Sequence, residues 1–97
     1  MKRYFVYILA SCKNGTLYVG VTGDLNKRVS VHKAGIVDGF TKKYFVHNLV
    51  YFEEYSNSIL AIMREKRLKK WNRQWKINLI ERNNSEWNDL SDNLNLL

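Results

Sequence analysis

The dipeptide Asn14-Gly15 separates two segments that are rich in aromatic and β-branched residues, Tyr4–Ala10 and residues 16–21. Asn and Gly both tolerate positive φ, and Asn-Gly between such segments is the strongest short-range signal for a β-hairpin. We therefore expect two antiparallel strands joined by a tight turn at the start of the chain. This hairpin also decides which side chains of the two strands share a face.

Tyr7 and Tyr18 are predicted to lie on the same face of the hairpin. With a two-residue loop, Lys13 faces Thr16 and Tyr7 faces residue 22, which is two pleat repeats from Tyr18. Because side chains alternate between the faces of a strand, both tyrosines then point the same way. A longer loop could reverse this arrangement.

A helix with recognisable ends is predicted after the hairpin. Asp24 is a favourable N-cap and Gly35 is a favourable stop. Arg28 lies within the helix and borders its inward stripe. That stripe, at i, i+4 and i+7 spacing, consists of Leu25, Val29 and His32.

The second half of the chain predicts one strand followed by helices. In chain order these are a strand over residues 49–55, a helix from residue 59 to about 71, a break at Asn72-Arg73, a helix over 74–82 and a short helix over 86–90. The predicted fold class is α/β of the α+β type: a small three-stranded antiparallel sheet flanked by helices, in the order β-β-α-β-α-α. Residues 1–82 would form the domain, and residues 83–97 a short C-terminal helix and tail.

The size and composition of the chain favour one small cytoplasmic domain. Ninety-seven residues with 45% hydrophobic content suffice for a single modest core. Cys12 is the only cysteine, which excludes a disulfide framework. Lys2-Arg3 before the apolar segment Tyr4–Ala10 imitates a signal peptide, but this short segment is better explained as a strand. No segment approaches the ~20 residues of a membrane span.

The charge of the chain favours a polyanionic partner. The net charge is +7, and no Lys or Arg follows Arg82. Basic residues alternate with Trp71 and Trp75 on the later helices, a mixture that suits contacts with phosphates and bases. Exposed lysines and core tryptophans would explain the same pattern equally well. The predicted nucleic-acid-binding residues are Lys42, Lys43, Arg64, Lys69, Lys70, Arg73 and Lys76.

Glu65 is the residue whose position most needs a chemical explanation. It is predicted to lie on the buried stripe of its helix, which consists of Ala61, Ile62, Leu68 and Trp71. A carboxylate there is costly unless it is paired or bound to a cation. A salt bridge to Arg28 or Lys69 would satisfy it. A metal would also do so, since Mg²⁺ keeps several waters and often takes one or two protein carboxylates.

These residue types suit the hydrolysis of a phosphodiester, which needs an activated water and neutralised phosphate charge. Arg28 offers a guanidinium fork that matches phosphate oxygens. The hydroxyl of Tyr18 or Tyr7 could orient a water or relay its proton if nearby cations lower the tyrosine pKa. His32 could hydrogen-bond the phosphate or the water. Core packing would explain His32 equally well, and it is the commoner role of tyrosines in strands.

Two short motifs make the chain resemble the GIY-YIG nuclease family. Tyr18-Val19-Gly20 matches the second half-motif, whereas Phe5-Val6-Tyr7 keeps the tyrosine of the first and has Phe at the position of its glycine. The segment from residue 22 to Arg28 resembles the approach to the family arginine. Further similarities extend the resemblance over roughly residues 4–82 to the small stand-alone bacterial branch, the UPF0213 or YhbQ-like proteins. They lie at residues 41–44, 49–53, 64–66 and 68–71.

The resemblance implies a metal-dependent endonuclease acting on DNA. Tyr18 would activate the water with support from Tyr7, Arg28 would bind the scissile phosphate, and Glu65 would hold a divalent metal, Mg²⁺ or Mn²⁺. The expected partner is DNA, as single strands or branched structures. No membrane association and no small-molecule cofactor are expected, and the chain would be a monomer or weak dimer. Many members carry a separate DNA-targeting domain, so the resemblance implies no sequence specificity here.

Two alternatives stay open at this point. In the first, the same fold binds DNA or RNA without cleaving it, since the first motif is degenerate at Phe5. In the second, the chain is an interaction protein that dimerises through Trp87 and the leucine-rich segment 94–97.

Overall fold

The fold is a three-stranded antiparallel sheet with helices on both faces. The computed structural model describes residues 2–35 and 44–96. The strands β1 (Tyr4–Ala10), β2 (Leu17–Thr22) and β3 (Asn48–Tyr55) are arranged in the order β2-β1-β3. The helices are α1 (Leu25–Lys33), α2 (Ser58–Lys70) and α3 (Arg73–Asn83), followed by a 3₁₀-helix over Leu90–Leu96. The predicted α+β class and the order β-β-α-β-α-α are confirmed. Within the described ranges, no helix has the length and apolar character needed to cross a membrane.

The central strand β1 divides the core into two layers, because its side chains alternate between the faces of the sheet. One layer, the helical layer, contains Val6, Ile8 and Ala10 with buried residues of α2 and α3. The other, the α1 layer, contains Phe5, Tyr7 and Leu9 with buried residues of α1. The apolar segment that imitates a signal peptide is thus the middle of the sheet.

The β1–β2 hairpin has a longer loop than predicted. Tyr7 pairs with Gly20, and residues 11–16 connect the strands. The predicted pairing of Tyr7 with residue 22 is therefore wrong by two residues. Because the shift is an even number, Tyr7 and Tyr18 still share a face, as predicted. Asn14 has φ of 60° within the loop, which Asn tolerates better than most residues.

Helix α1 begins and ends as predicted. The carboxylate of Asp24 accepts a hydrogen bond of 3.1 Å from the amide of Lys27, so it caps the N-terminus. Gly35 follows the helix with φ of 69°, a conformation that glycine adopts without strain. The predicted inward stripe is confirmed, since Leu25, Val29 and His32 are the buried residues of the helix.

Asparagine side chains cap helices α2 and α3. Asn57 accepts from two amides at the start of α2, and Asn72 accepts from the amide of Trp75 at 2.9 Å. The predicted break between these helices is confirmed. One predicted member of the α2 stripe is wrong, because Ile62 is 43% exposed. Of that stripe, only Ala61 and Leu68 are fully buried. They lie seven residues apart, almost two full turns, so their side chains point in the same direction.

The C-terminal region differs from the prediction. Instead of a helix over residues 86–90, the chain continues irregularly from Asn84 and then forms the 3₁₀-helix. The side chain of Asn84 bonds to the backbone of Asn88 and Val50, which offers the chain an alternative to helical hydrogen bonds. Trp87 is 5% exposed and packs in the helical layer, so it is not available as the dimer contact considered above. A domain boundary at residue 82 stays a prediction.

A polar network joins β3 to α2. The guanidinium of Arg64 donates to the carboxylate of Glu53 through Nε at 3.0 Å and Nη2 at 2.9 Å, and it lies 5.0 Å from the ring centroid of Trp71. The hydroxyls of Tyr51 and Tyr55 donate to the same carboxylate. Burial acts to raise the pKa of Glu53, but hydrogen bonds from Arg64 and both tyrosines outweigh it and lower the pKa. Arg64, which the sequence predicted to bind nucleic acid, therefore uses its guanidinium in contacts within the fold.

We expect Glu53→Gln to lower the free energy of unfolding and to make that free energy depend less on pH in the acid range. The pKa of Glu53 in the folded state lies below its ordinary value of 4.5. Its contribution is therefore fully present above that pH and is lost as pH falls through the folded-state pKa. The variant should lose about 1–3 kcal/mol in the free energy of unfolding near neutral pH, and less in acid. Urea denaturation at both pH values measures the difference.

The matched control is Glu54→Gln. Glu54 pairs with Arg3 at 2.6 Å, but both side chains are exposed, so solvent screens the pair. The control should therefore lose clearly less stability. Equal losses in the two variants, or a deficit in Glu53→Gln that persists in acid, would contradict the role given to Glu53.

Candidate active site

The ring of Tyr7 lies across Gly20 of the neighbouring strand. A Cβ atom at Gly20 would lie 2.4 Å from the hydroxyl oxygen of Tyr7 and 2.5 Å from its Cζ. Side-chain atoms do not approach a real Cβ this closely, so only glycine fits this position. Gly20 thus permits the ring of Tyr7 to lie close to the backbone of β2.

Tyr7, Tyr18 and His32 form one cluster, the tyrosine–histidine cluster. The Tyr7 hydroxyl and His32 Nε2 share a hydrogen bond of 3.2 Å. The ring centroids of Tyr18 and His32 are 5.3 Å apart, and those of Tyr7 and Tyr18 are 6.4 Å apart. Tyr7 is 1% exposed and His32 is 0% exposed, whereas Tyr18 is half-buried. Tyr18 is thus the member of the cluster that solvent reaches.

Arg28 lies on α1, one turn before His32, so the two side chains share a side of the helix. The residue is half-buried, and its Nε is buried without a hydrogen-bond partner among the described residues. An unpaired buried donor is unfavourable, and for a charged group the cost is larger. An anionic oxygen acceptor at this nitrogen would remove that cost.

Glu65 lies on α2 with a side chain that is 14% exposed, and its Oε2 is 3.3 Å from Nζ of Lys69. This ion pair with Lys69 is one of the two salt bridges that the sequence suggested for Glu65. Helix α2 packs in the helical layer, whereas Tyr7 lies in the α1 layer. Helix α2 and the tyrosine–histidine cluster therefore lie on opposite faces of the sheet. Helix α2 also contacts the edge strand β2, which carries Tyr18.

The arrangement of carboxylates and imidazoles limits the metals that fit. In the part of the chain that the structure describes, no three His, Cys, Asp or Glu side chains come together as a metal site. A zinc site would need three or four such ligands. A single mostly buried carboxylate fits Mg²⁺, which keeps several waters and takes its other ligands from substrate phosphate.

The predicted nucleic-acid-binding residues have different surroundings. Lys42 and Lys43 lie outside the described residues. Lys69 and Lys70 are exposed near the end of α2. Arg73 donates from Nη2 to the carbonyl oxygens of Asn14 and Gly15 at 2.6 and 2.7 Å, which docks α3 on the hairpin loop. Lys76 is half-buried close to it.

Comparison with known proteins assigns the family. The model of the GIY-YIG catalytic domain matches residues 3–78. The chain belongs to the GIY-YIG family. It is 40% identical over 81 residues to a UPF0213 protein of Staphylococcus aureus, a match that covers 84% of this chain and 98% of the relative. A UPF0213 protein of Staphylococcus haemolyticus is 37% identical over the same length.

A solved structure agrees with this assignment. The solution structure of a UPF0213 protein from Bacillus halodurans is 26% identical in sequence, with a TM-score of 0.56. The match covers 90% of this chain and 92% of that chain. The resemblance to the GIY-YIG family and to its UPF0213 branch is thus confirmed. GIY-YIG is a nuclease family, and the matched segment contains all five predicted catalytic residues: Tyr7, Tyr18, Arg28, His32 and Glu65.

Sequence reasoning missed two features of this GIY-YIG site. The contact between Tyr7 and Gly20 depends on the hairpin register, which the loop length decides. The hydrogen bond between Tyr7 and His32 links two elements that are 25 residues apart. A signal was present, because His32 was predicted to face inward and Tyr7 to share a face with Tyr18, but no spacing rule pairs a strand residue with a helix residue.

We expect Gly20→Ala to destabilise the protein, because its Cβ would collide with the ring of Tyr7. Forcing an extra carbon into a packed site costs about 1–3 kcal/mol. Gly23→Ala is the matched control, since the nearest atom to its Cβ, Tyr4 Cδ1, would be 4.0 Å away. Chemical denaturation of both variants measures the difference, and equal stability of the two would contradict the steric account.

Proposed function

We propose that this GIY-YIG protein is a metal-dependent endonuclease that hydrolyses DNA phosphodiester bonds. The observation that carries the proposal is the Nε of Arg28, which is buried and has no partner among the described residues. Arg28 lies on the same side of α1 as His32, which contacts both tyrosines. This nitrogen suits a phosphate oxygen, and the net charge of +7 favours a polyanionic substrate. The reaction site would lie at the β2 edge of the sheet.

Arg28 would bind the scissile phosphate. Its planar guanidinium donates in a fork that matches two phosphate oxygens. The positive charge offsets the negative charge that develops on the phosphate during attack. Because the guanidinium is half-buried, this interaction is screened less by water than one at an exposed lysine would be.

Tyr18, with its hydroxyl deprotonated to the phenolate, would orient the attacking water and accept its proton. It is half-buried, so its side chain can meet substrate and solvent, whereas Tyr7 and His32 are almost fully enclosed. Tyr7 and His32 are therefore positioning residues in this proposal. Their hydrogen bond holds the surface against which the ring of Tyr18 packs, and this restricts the directions in which the Tyr18 hydroxyl can point.

Glu65 would hold the divalent metal, Mg²⁺ or Mn²⁺. When bound, this ion supplies positive charge beside the phosphate and lowers the pKa of its bound water. The carboxylate is paired with Lys69, whose side chain is 54% exposed, and an ion pair with so exposed a lysine is weak. Glu65 would approach the phosphate from the helical layer, and Tyr18 and Arg28 from the α1 layer, so the substrate would bridge the two at β2.

The first test is cleavage of a labelled oligonucleotide by purified protein with Mg²⁺. Glu65→Gln and Arg28→Ala should each lower the single-turnover rate by at least ~10²-fold, because each removes charge that stabilises the transition state. Glu54→Gln, an exposed carboxylate paired with Arg3, is the control and should cleave like the parent protein. Equal rates in the parent and Glu65→Gln would refute this site.

The alternative without chemistry has a distinct outcome in the same assay. Salt-dependent binding of the oligonucleotide, with no product under Mg²⁺ or Mn²⁺, would identify a nucleic-acid-binding module on the GIY-YIG fold. That result would overturn the proposed hydrolysis.

The two tyrosines should differ in their effect on rate. Tyr18→Phe should lower the rate by about 10²- to 10⁴-fold, the range for loss of a general base. Tyr7→Phe should lower it less, because Tyr7 is 1% exposed and acts through its neighbours. Rates measured across pH check the assignment, because only Tyr18→Phe should remove the rise in rate with pH that a general base produces. A larger loss in Tyr7→Phe would exchange the two roles.

A further inference from the structure

A basic cavity lies where α3 meets the hairpin. Its volume is about 300 Å³, and its lining consists of Thr16 and Leu17 from the hairpin and Arg73 and Lys76 from α3. These four residues contribute two cations, one hydroxyl and no carboxylate. We call it the α3 cavity.

Both cations of the α3 cavity are held in place by backbone carbonyls. Arg73 uses only Nη2 for its two bonds to the hairpin loop, so Nε and Nη1 of the same fork can donate elsewhere. Lys76 Nζ is 3.4 Å from the carbonyl oxygen of Lys69. Burial lowers the pKa of Lys76, and the nearby charge of Arg73 lowers it further. Two like charges facing one cavity are stabilised when an anion lies between them.

The α3 cavity adjoins the proposed reaction site on two sides. Leu17 directly precedes Tyr18 on the edge strand, so Thr16 is about 7 Å from Tyr18 along the strand. The backbone of Lys69 contacts Lys76, and the side chain of Lys69 pairs with Glu65. A nucleic-acid strand whose scissile phosphate lies at Tyr18 can therefore place a neighbouring phosphate in the α3 cavity.

Trp75 provides an aromatic surface on α3, next in sequence to Lys76. It is 55% exposed, and its ring meets that of Trp71 edge to face with centroids 5.7 Å apart. Trp71 packs against the helical layer and is covered by Arg64 at 5.0 Å, so Trp75 has a firm support. An exposed aromatic ring on the helix that carries these cations suits the stacking of an unpaired base.

We propose that the α3 cavity binds a phosphate flanking the scissile bond and that Trp75 stacks an unpaired base, which makes single-stranded nucleic acid the substrate class. In a duplex the bases are already stacked on one another, so they are not available to Trp75. The inference rests on the proposed function only for the position of the cleaved bond. Binding at Trp75 and Lys76 does not require cleavage.

The test is binding of a fluorescent single-stranded oligonucleotide without divalent metal, compared with a hairpin duplex of the same length. Trp75→Ala should weaken binding of the single strand by about 5- to 150-fold, the effect of losing one stacked base. Binding of the duplex should change much less. Ile59→Ala is the control for an exposed apolar side chain, since Ile59 is 67% exposed on α2, and it should have no effect on either.

Salt dependence tests the phosphate contact. Lys76→Gln should reduce the slope of log K against log salt by about 0.7 for the single strand, the value for one lost phosphate contact. Lys66→Gln, an exposed lysine of α2 that does not line the cavity, should change the slope less. Trp75→Phe should recover most of the affinity that Trp75→Ala loses. Thermal unfolding of each variant identifies losses that come from misfolding.

The outcomes separate this inference from the proposed nuclease. Loss of single-strand binding in Trp75→Ala and Lys76→Gln, with no cleavage by the parent protein, would support the subsite and refute the nuclease. Cleavage by the parent protein with unchanged single-strand binding in both folded variants would refute the subsite alone. Equal weakening of single strand and duplex by Trp75→Ala would overturn the assignment of the substrate class.

Discussion

The contact between the Tyr7 ring and the bare backbone of Gly20 is the constraint on which the site depends. It joins β1 to β2 with an aromatic side chain that is 1% exposed, and it leaves the hydroxyl 3.2 Å from His32 on α1. One tyrosine thus links both strands of the hairpin to the helix that carries Arg28. The glycine of the half-motif Tyr18-Val19-Gly20 has a structural role, because it leaves room for Tyr7, the tyrosine of the other half-motif. Phe5, where that other half-motif has glycine, does not take part in this contact.

The sheet also separates the groups that the proposed chemistry needs. The tyrosines belong to the α1 layer and Arg28 lies on α1, whereas Glu65 lies on α2, which packs in the helical layer. Because β2 is an edge strand, a substrate that wraps around it can contact both layers at once. A site built around an edge leaves the ends of the bound strand free to continue, as an endonuclease requires, since it cuts within a chain.

The predicted nucleic-acid-binding residues of α2 and α3 differ in their surroundings. Arg64 neutralises the partly buried carboxylate of Glu53 and so stabilises the fold, whereas Arg73 both anchors the hairpin loop and lines the α3 cavity. Lys69 and Lys70 are exposed, and Lys76 faces a cavity. A positive net charge on a small domain is therefore a poor measure of its nucleic-acid surface. Only the surroundings of each cation show which charge is available to a partner.

The sequence alone determined the three strands and the first three helices, their order and the shared face of Tyr7 and Tyr18, because strand alternation, helix caps and inward stripes are local properties. It also carried the family, through two half-motifs. The hairpin register, the exposure of Ile62 and the irregular segment around Trp87 were decided by tertiary structure. Contacts between elements decide these three features. They set the length of the hairpin loop, the depth at which α2 packs and the bonds of the Asn84 side chain to distant backbone. For the same reason, only the tertiary structure decided which tyrosine meets solvent and which cations face a cavity.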